Sequence, residues 1–359
     1  MEKGGGVNTD AVRFATIGTS GICERFLDAL KQTPEAKLAA VYSRDPERAR
    51  AFAAAHGATY AMSDLDELAA CSEVDAVYVA SPIALHAPQA CELIAGGKHV
   101  LVEKSFASNE REAAGVFDAA HEAGVVAMEA MRSLYVPTFS LIEKTMPELG
   151  ALHSAAFRFS KVSSRMARLA AGERLNVFDP CLSEGALMDI GIYCVELAVA
   201  LLGTPKDVCA LAVTTRVPSE PASSPYALID LSGEVLLSYD GLVAGLSYGK
   251  TSDDELASEL AGERATLVWD QTSCPRELTL HIHEDQGLIF GTSQGAVSLL
   301  KADAPKNDMV CELSRFCAAV QGDSEALAAV QRFEKVTRVS IGITDEVRRQ
   351  IGIRFPADE

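Results

Sequence analysis

A chain of 359 residues, 48% hydrophobic and 23% charged, has the composition of a soluble globular protein long enough to build two cores. Fifty acidic against thirty-two basic side chains leave a formal charge of -18, which repels phosphate backbones and excludes broad binding to nucleic acid or anionic membranes. No apolar run is long enough to cross a bilayer, and the opening MEKGGGVNTD lacks the apolar core of an export signal, so a cytoplasmic protein with a loose tail over 1–10 is expected.

From residue 12 to about 130, short apolar runs alternate with helical stretches. VRFATIG is followed by a helix over 21–32, KLAAVYS by 46–56, VDAVYVAS by 86–96 and KHVLVEK by 107–123, with GVVAMEA closing the series. Near-continuous apolar strands separated by helices predict a parallel sheet covered on both faces, a doubly wound domain. The first turn, FATIGTSGIC, joins strand to helix through Gly18, Thr19, Ser20, Gly21 and Ile22. That is where a pyrophosphate meets the free amides and positive dipole end of a helix, although Ser20 and Cys23 stand where a dinucleotide fingerprint has its second and third glycines. The second strand ends in Ser43 and Arg44 instead of an acidic residue, a pairing that suits a ribose 2'-phosphate and favours NADP over NAD. Asp45, one residue on, keeps NAD open.

The second half reads differently. SAAFRFS, ALIDLS, VLLSYDG, VAGLSYGK, RATLVWD and RELTLHIH follow one another with few helices between, which predicts a largely antiparallel sheet. One helical block, GALMDIGIYCVELAVALLG, precedes most of them, and two helices, near 308–321 and 324–350, close the chain. The domains are placed at 11–133 and 134–359. The nine cysteines form no C-x-x-C pair and read as reduced and structural. His281 and His283, two apart in a strand-like segment without a cysteine pair, give no metal site.

Four further stretches, VASPIALHAPQACELIAGGKHVLVEKSFASN, AMEAMRSLYVPTF, NVFDPCLSEGALMDIGIYC and GIRFPADE, come in an order that resembles the Gfo/Idh/MocA family of oxidoreductases. The LMDIGIY block is most similar to its glucose-fructose oxidoreductase and dihydrodiol dehydrogenase branch. The resemblance implies a Rossmann domain, then an α+β domain with a large open-faced sheet through which members often pair as homodimers. It also implies a nicotinamide cofactor and a small carbonyl or polyol substrate. The family's Glu-Lys-Pro motif falls on Glu103, Lys104 and Ser105, so the proline is lost, which is expected to loosen the presentation of Lys104. Its Thr-Pro-Asn-x-x-His pattern falls on Ser81, Pro82, Ile83 and His86, and its glycine pair on Glu184 and Gly185.

Reduction of a carbonyl needs a proton source at the forming alkoxide. By the resemblance, Lys104 and Tyr193 are the acid/base pair, with the division between them left open, and Asp189 is the polar anchor. Asp189 and Tyr193 are four apart in the helical block and so share a face. Glu129 is expected near the nicotinamide and His86 along the cofactor cleft. Two other functions stay open: a silent cofactor-binding sensor of redox state or sugar, and a glycosidase that uses bound NAD transiently.

Overall fold

The computed structural model describes residues 11–284 and 295–359; the expected tail over 1–10 lies outside them. The chain divides into two compact units, one formed by residues up to Met131 with Pro305–Arg338, the other by Arg132–Ala304 with Val339–Glu359. The sequence places everything after 133 in one domain, whereas Pro305–Arg338 groups with the first unit, and the helix Ser324–Ile351 belongs partly to each.

In the first unit, β1 (Val12–Ile17), β2 (Ala36–Tyr42), β3 (Tyr60–Met62), β4 (Ala76–Val79), β5 (His99–Glu103) and β6 (Ala127–Ala130) form a parallel sheet in the order β3-β2-β1-β4-β5-β6. Every residue of β4 is buried, as a strand covered by helices on both faces must be. Strand order reverses between β1 and β4, which opens a crevice at their carboxyl ends. Helix boundaries follow local chemistry. Asp45 caps the helix Pro46–His56 by accepting from the amides of Glu47 (2.9 Å) and Arg48 (3.2 Å), and Gly57 ends it in the left-handed conformation. Under the sheet, the Phe26 ring stacks on Tyr78 at 3.9 Å, and Phe14 meets both Phe26 and Phe316. Phe316 explains why the helix Met309–Val320 joins this unit: its apolar face completes the first core, and the Arg25–Asp308 ion pair (2.6 Å) ties down its start.

The second unit is built on β7 (Leu152–Ser160), β8 (Asp207–Arg216), β9 (Leu228–Tyr239), β10 (Leu242–Gly249), β11 (Ser258–Gly262), β12 (Ala265–Trp269), β13 (Glu277–Ile282) and β14 (Val297–Lys301). Their order is β14-β13-β12-β11-β7-β10-β9-β8, with β7 and β10 parallel and the other pairs antiparallel. The runs ALIDLS and VLLSYDG are one strand, β9, rather than two. Gly233, which reads as a break, is a close approach within it: a Cβ there would run into the Tyr248 hydroxyl on β10. The helix Ile192–Leu202 packs on β7 and β10, while Leu211, Val213, Leu236 and Val243 stand exposed on β8, β9 and β10.

The turn after β1 shows how closely sequence and fold are coupled. Gly18 has φ 112°, and a Cβ at this position would stand 2.8 Å from the Ala80 carbonyl oxygen at the end of β4. Both the angle and the space demand glycine. Gly18→Ala is expected to lower unfolding free energy by about 1–3 kcal/mol in denaturant titrations; an unchanged midpoint would show that the turn has room the structure denies it.

Candidate active site

Because β1, β2, β4 and β5 are parallel, the residues that follow them share one edge of the sheet. That edge carries Gly18 to Ile22, then Ser43 and Arg44, Ser81 and Pro82, and Glu103 with Lys104. Ser20 is the N-cap residue of the helix Gly21–Lys31, with its side chain exposed, and Gly21 has open space where a Cβ would be. The residues present fit a dinucleotide: a glycine-forced approach of backbone, a helix N-terminus and an exposed Arg44 at the end of β2. The carboxylate of Asp45 is committed to its own helix, and the Ser43 hydroxyl accepts from the Asp45 amide at 3.3 Å. The acidic alternative for the ribose is thereby used elsewhere, which strengthens the case for a 2'-phosphate.

The loop after β5 is held at several atoms. Glu103 is buried, accepts from the Tyr78 hydroxyl and from the Lys104 amide (3.2 Å), and so anchors the backbone that carries the lysine. The Lys104–Ser105 peptide is cis. The Ser105 carbonyl faces His86 Nδ1 at 2.9 Å, and the Phe106 amide donates to Glu129 Oε1 at 2.9 Å. Glu129, 4% exposed, also accepts from the Thr337 hydroxyl at 2.7 Å. Loss of the family's proline therefore does not leave the loop loose, since three side chains from other elements fasten it. Glu129 acts on this site as a strut beneath the loop. His86 binds two loops together, with Nε2 facing the Ser81 carbonyl at 2.8 Å. Burial, reinforced by the Lys104 charge and only partly countered by the carbonyls, pushes its pKa down to about 4.

In the second unit, Asp189 lies in a π-helical turn, Leu187–Gly191, that runs directly into the helix Ile192–Leu202, and Tyr193 follows one turn later. Such turns recur at functional sites because they re-aim side chains within a continuing helix. The start of this block is fixed by Asp230 on β9, whose buried carboxylate accepts from the amides of Ala186 (3.2 Å) and Leu187 (2.7 Å). Gly185, with φ 143°, leaves the space that Asp230 occupies; any Cβ there would collide with that carboxylate. Burial raises the Asp230 pKa, offset in part by those two amides. The Tyr193 ring is nearly buried, lies edge-on to Phe159 at 5.6 Å and has the Arg132 guanidinium 5.5 Å from its centre.

Asp189 is ion-paired with Lys250, a partner not identifiable from sequence spacing. Asp230 and Arg132 were also missed. A signal existed for Lys250: Leu242, Ala244, Leu246 and Tyr248 alternate inward along β10, so the next inward position holds a lysine, and a lysine there needs a partner. Among the described residues no group of three or more His, Cys, Asp or Glu could hold a metal ion, and none of the nine cysteines is joined in a disulfide. No described helix is long and apolar enough to cross a membrane.

Comparison with known proteins gives a consistent picture. The family described as an oxidoreductase family with an NAD-binding Rossmann fold matches residues 12–131, and the GFO/IDH/MocA C-terminal domain matches 147–268. A scyllo-inositol 2-dehydrogenase (NADP(+)) of Bacillus subtilis is 38% identical over 351 residues, covering 97% of this chain and 99% of that protein. A trans-1,2-dihydrobenzene-1,2-diol dehydrogenase of Sus scrofa is 25% identical over 362 residues, 97% of this chain and 99% of the other. Among solved structures, a 3-ketoreductase of Actinomadura kijaniata in complex with NADP and TDP-benzene has the same fold, with a TM-score of 0.77 at 24% identity over 97% of this chain and 100% of that one.

The His86 geometry has a measurable consequence. A neutral ring donates to only one of its two carbonyls, and the native state holds it neutral down to about pH 4, whereas the unfolded ring takes up its proton near pH 6.5. Its contribution is complete above the unfolded value and is lost as pH falls toward 4, amounting to at most about 3 kcal/mol. Urea unfolding at a series of pH values should show a flatter acid slope for His86→Gln than for the parent chain; parallel slopes would mean that the ring takes up its proton as readily in the fold as in the unfolded chain.

Proposed function

Because this chain belongs to the Gfo/Idh/MocA family of oxidoreductases, we propose that its reaction is the NADP-linked interconversion of a hydroxyl and a carbonyl on a cyclic polyol of the inositol type. The enzyme class is shown by the family: an NAD(P)-dependent oxidoreductase acting on a small-molecule alcohol or ketone. The observation that carries the finer reading is the near full-length relation to the inositol dehydrogenase, at 38% identity over 97% of this chain. The Ser43–Arg44 pair supports NADP, with Asp45 engaged as a helix cap.

A nicotinamide held there would supply or take up the hydride. The protein does the rest. Gly18 to Ile22 would hold the pyrophosphate by backbone amides, and Ser43 with Arg44 would hold the 2'-phosphate. Ser81, Pro82 and His86 line the cofactor side. Lys104 and Tyr193 form the acid/base pair at the substrate oxygen, and Asp189 accepts a hydrogen bond from a substrate hydroxyl. Glu103, Glu129 and Asp230 keep the backbone under those groups in place. The exposed apolar residues of the open sheet support assembly as a homodimer, and nine cysteines held in no disulfide suit a reducing cytoplasm.

Purified protein should reduce NADP with scyllo-inositol, with kcat/KM for NAD lower by ~10-fold or more. Lys104→Met and Tyr193→Phe should each lower kcat by ~100-fold or more while the Kd for NADPH stays within about threefold of the parent value. Tight NADPH binding with no turnover across inositols, sugars and diols would overturn the proposal in favour of a sensor. Release of a free sugar without net change in cofactor would overturn it in favour of a glycosidase.

Light scattering during size-exclusion chromatography should show a dimer. Leu211, 78% exposed, and Leu236, 50% exposed, lie on neighbouring strands of the open face. Leu211→Lys with Leu236→Glu should shift the mass toward monomer. A parent chain that elutes as a monomer would remove this part of the proposal.

A further inference from the structure

Lys250 follows β10 at the next inward-facing position and is 2% exposed. Its ammonium pairs with the Asp189 carboxylate and stands 5.2 Å from the centre of the Phe178 ring. Phe178 is itself fully buried, in a small core with Leu169, Leu175, Val217 and Ile229. That core gathers the irregular segment between β7 and the helical block, and the Ser163 amide at the segment's start donates to the Lys250 carbonyl at 2.9 Å. Lys250 thus joins this segment to the carboxylate that follows it in the chain.

Exposure separates the two partners. The Asp189 side chain is 34% exposed and that of Lys250 only 3%, so a molecule entering from solvent meets the carboxylate while the ammonium works from behind it. A carboxylate held beside an ammonium stays ionised and is an acceptor only. It can take a hydrogen bond from a hydroxyl, and the ammonium offsets the desolvation cost that a lone carboxylate would carry in a half-buried place.

We propose that Lys250 is a positioning residue that fixes Asp189 as the acceptor for a substrate hydroxyl, and that this selects neutral polyols with a hydroxyl beside the reacting carbon. The inference rests on the reading of Asp189 given under Proposed function. It assigns no proton transfer to Lys250. The lysine sets the direction and charge of its partner, so its effect belongs to substrate recognition more than to the hydride step.

The test compares Lys250→Met, Lys250→Arg, Asp189→Asn and the double variant K250M/D189N with the parent enzyme. The readouts are KM and kcat for scyllo-inositol, the Kd for NADPH and the melting temperature. Lys250→Met should raise KM by ~10-fold or more with kcat and the NADPH Kd nearly unchanged, because a hydroxyl contact is misdirected while cofactor binding is untouched. Lys250→Arg should restore most of the lost KM, and the double variant should match Asp189→Asn alone. An unchanged KM in Lys250→Met, or losses that multiply in the double variant, would overturn the proposal. If Lys250→Met does not fold, the double variant carries the test, since it leaves no buried charge unpaired. If the parent enzyme turns over no polyol, the reading of function fails on its own, and melting temperatures then decide the pair: additive losses would show that Lys250 does not act through Asp189.

Discussion

A carboxylate taken out of water must be met by donors, and this chain spends three of them on backbone amides near side chains assigned to the proposed chemistry. Glu103 holds the amide of Lys104, Glu129 holds that of Phe106, and Asp230 holds those of Ala186 and Leu187. Loops are otherwise the least fixed parts of a fold. Here the requirement that each buried charge be satisfied converts one loop, held at two amides, and one helix start into fixed points. The side chains assigned to the chemistry lie within a few residues of these points.

The same requirement decides which neighbours are possible. Gly185 is glycine because Asp230 fills the place of its Cβ, and the Ser105 carbonyl faces a histidine where the family's proline would have supplied rigidity through its ring. A departure from a motif thus need not mean a departure from its geometry. At the loop after β5, the rigidity lost from the backbone is recovered from His86, Glu103 and Glu129, each reaching in from a different element.

How much of this was legible in the sequence depended on whether the deciding partner lay nearby. The parallel sheet was read almost strand for strand, because β1, β4 and β5 are largely buried and show it as near-continuous apolar runs. The three-residue β3 escaped, as did β8, whose outward Leu211 and Val213 break the expected pattern of a half-buried strand. The return of Pro305–Arg338 to the first unit was not legible. Periodicity shows that a helix has an apolar face, but only the Phe14–Phe316 contact shows which core receives it.

The candidate site divides along the same line. Spacing four apart linked Asp189 to Tyr193, and strand-end positions collected Gly18, Ser43, Ser81 and Lys104 on one edge, since both rules depend only on local geometry. Asp230 and Lys250 act on the same helical block from strands 44 and 61 residues away in the chain, a separation over which spacing carries no information. What the sequence did hold was a lysine and an aspartate inside runs that otherwise read as half-buried strand. A charge in such a run costs stability unless something distant meets it. An unexplained charge on an inward strand position is therefore a signal in itself: it announces a partner before the fold reveals which one, and in this chain that partner belongs to the proposed substrate anchor.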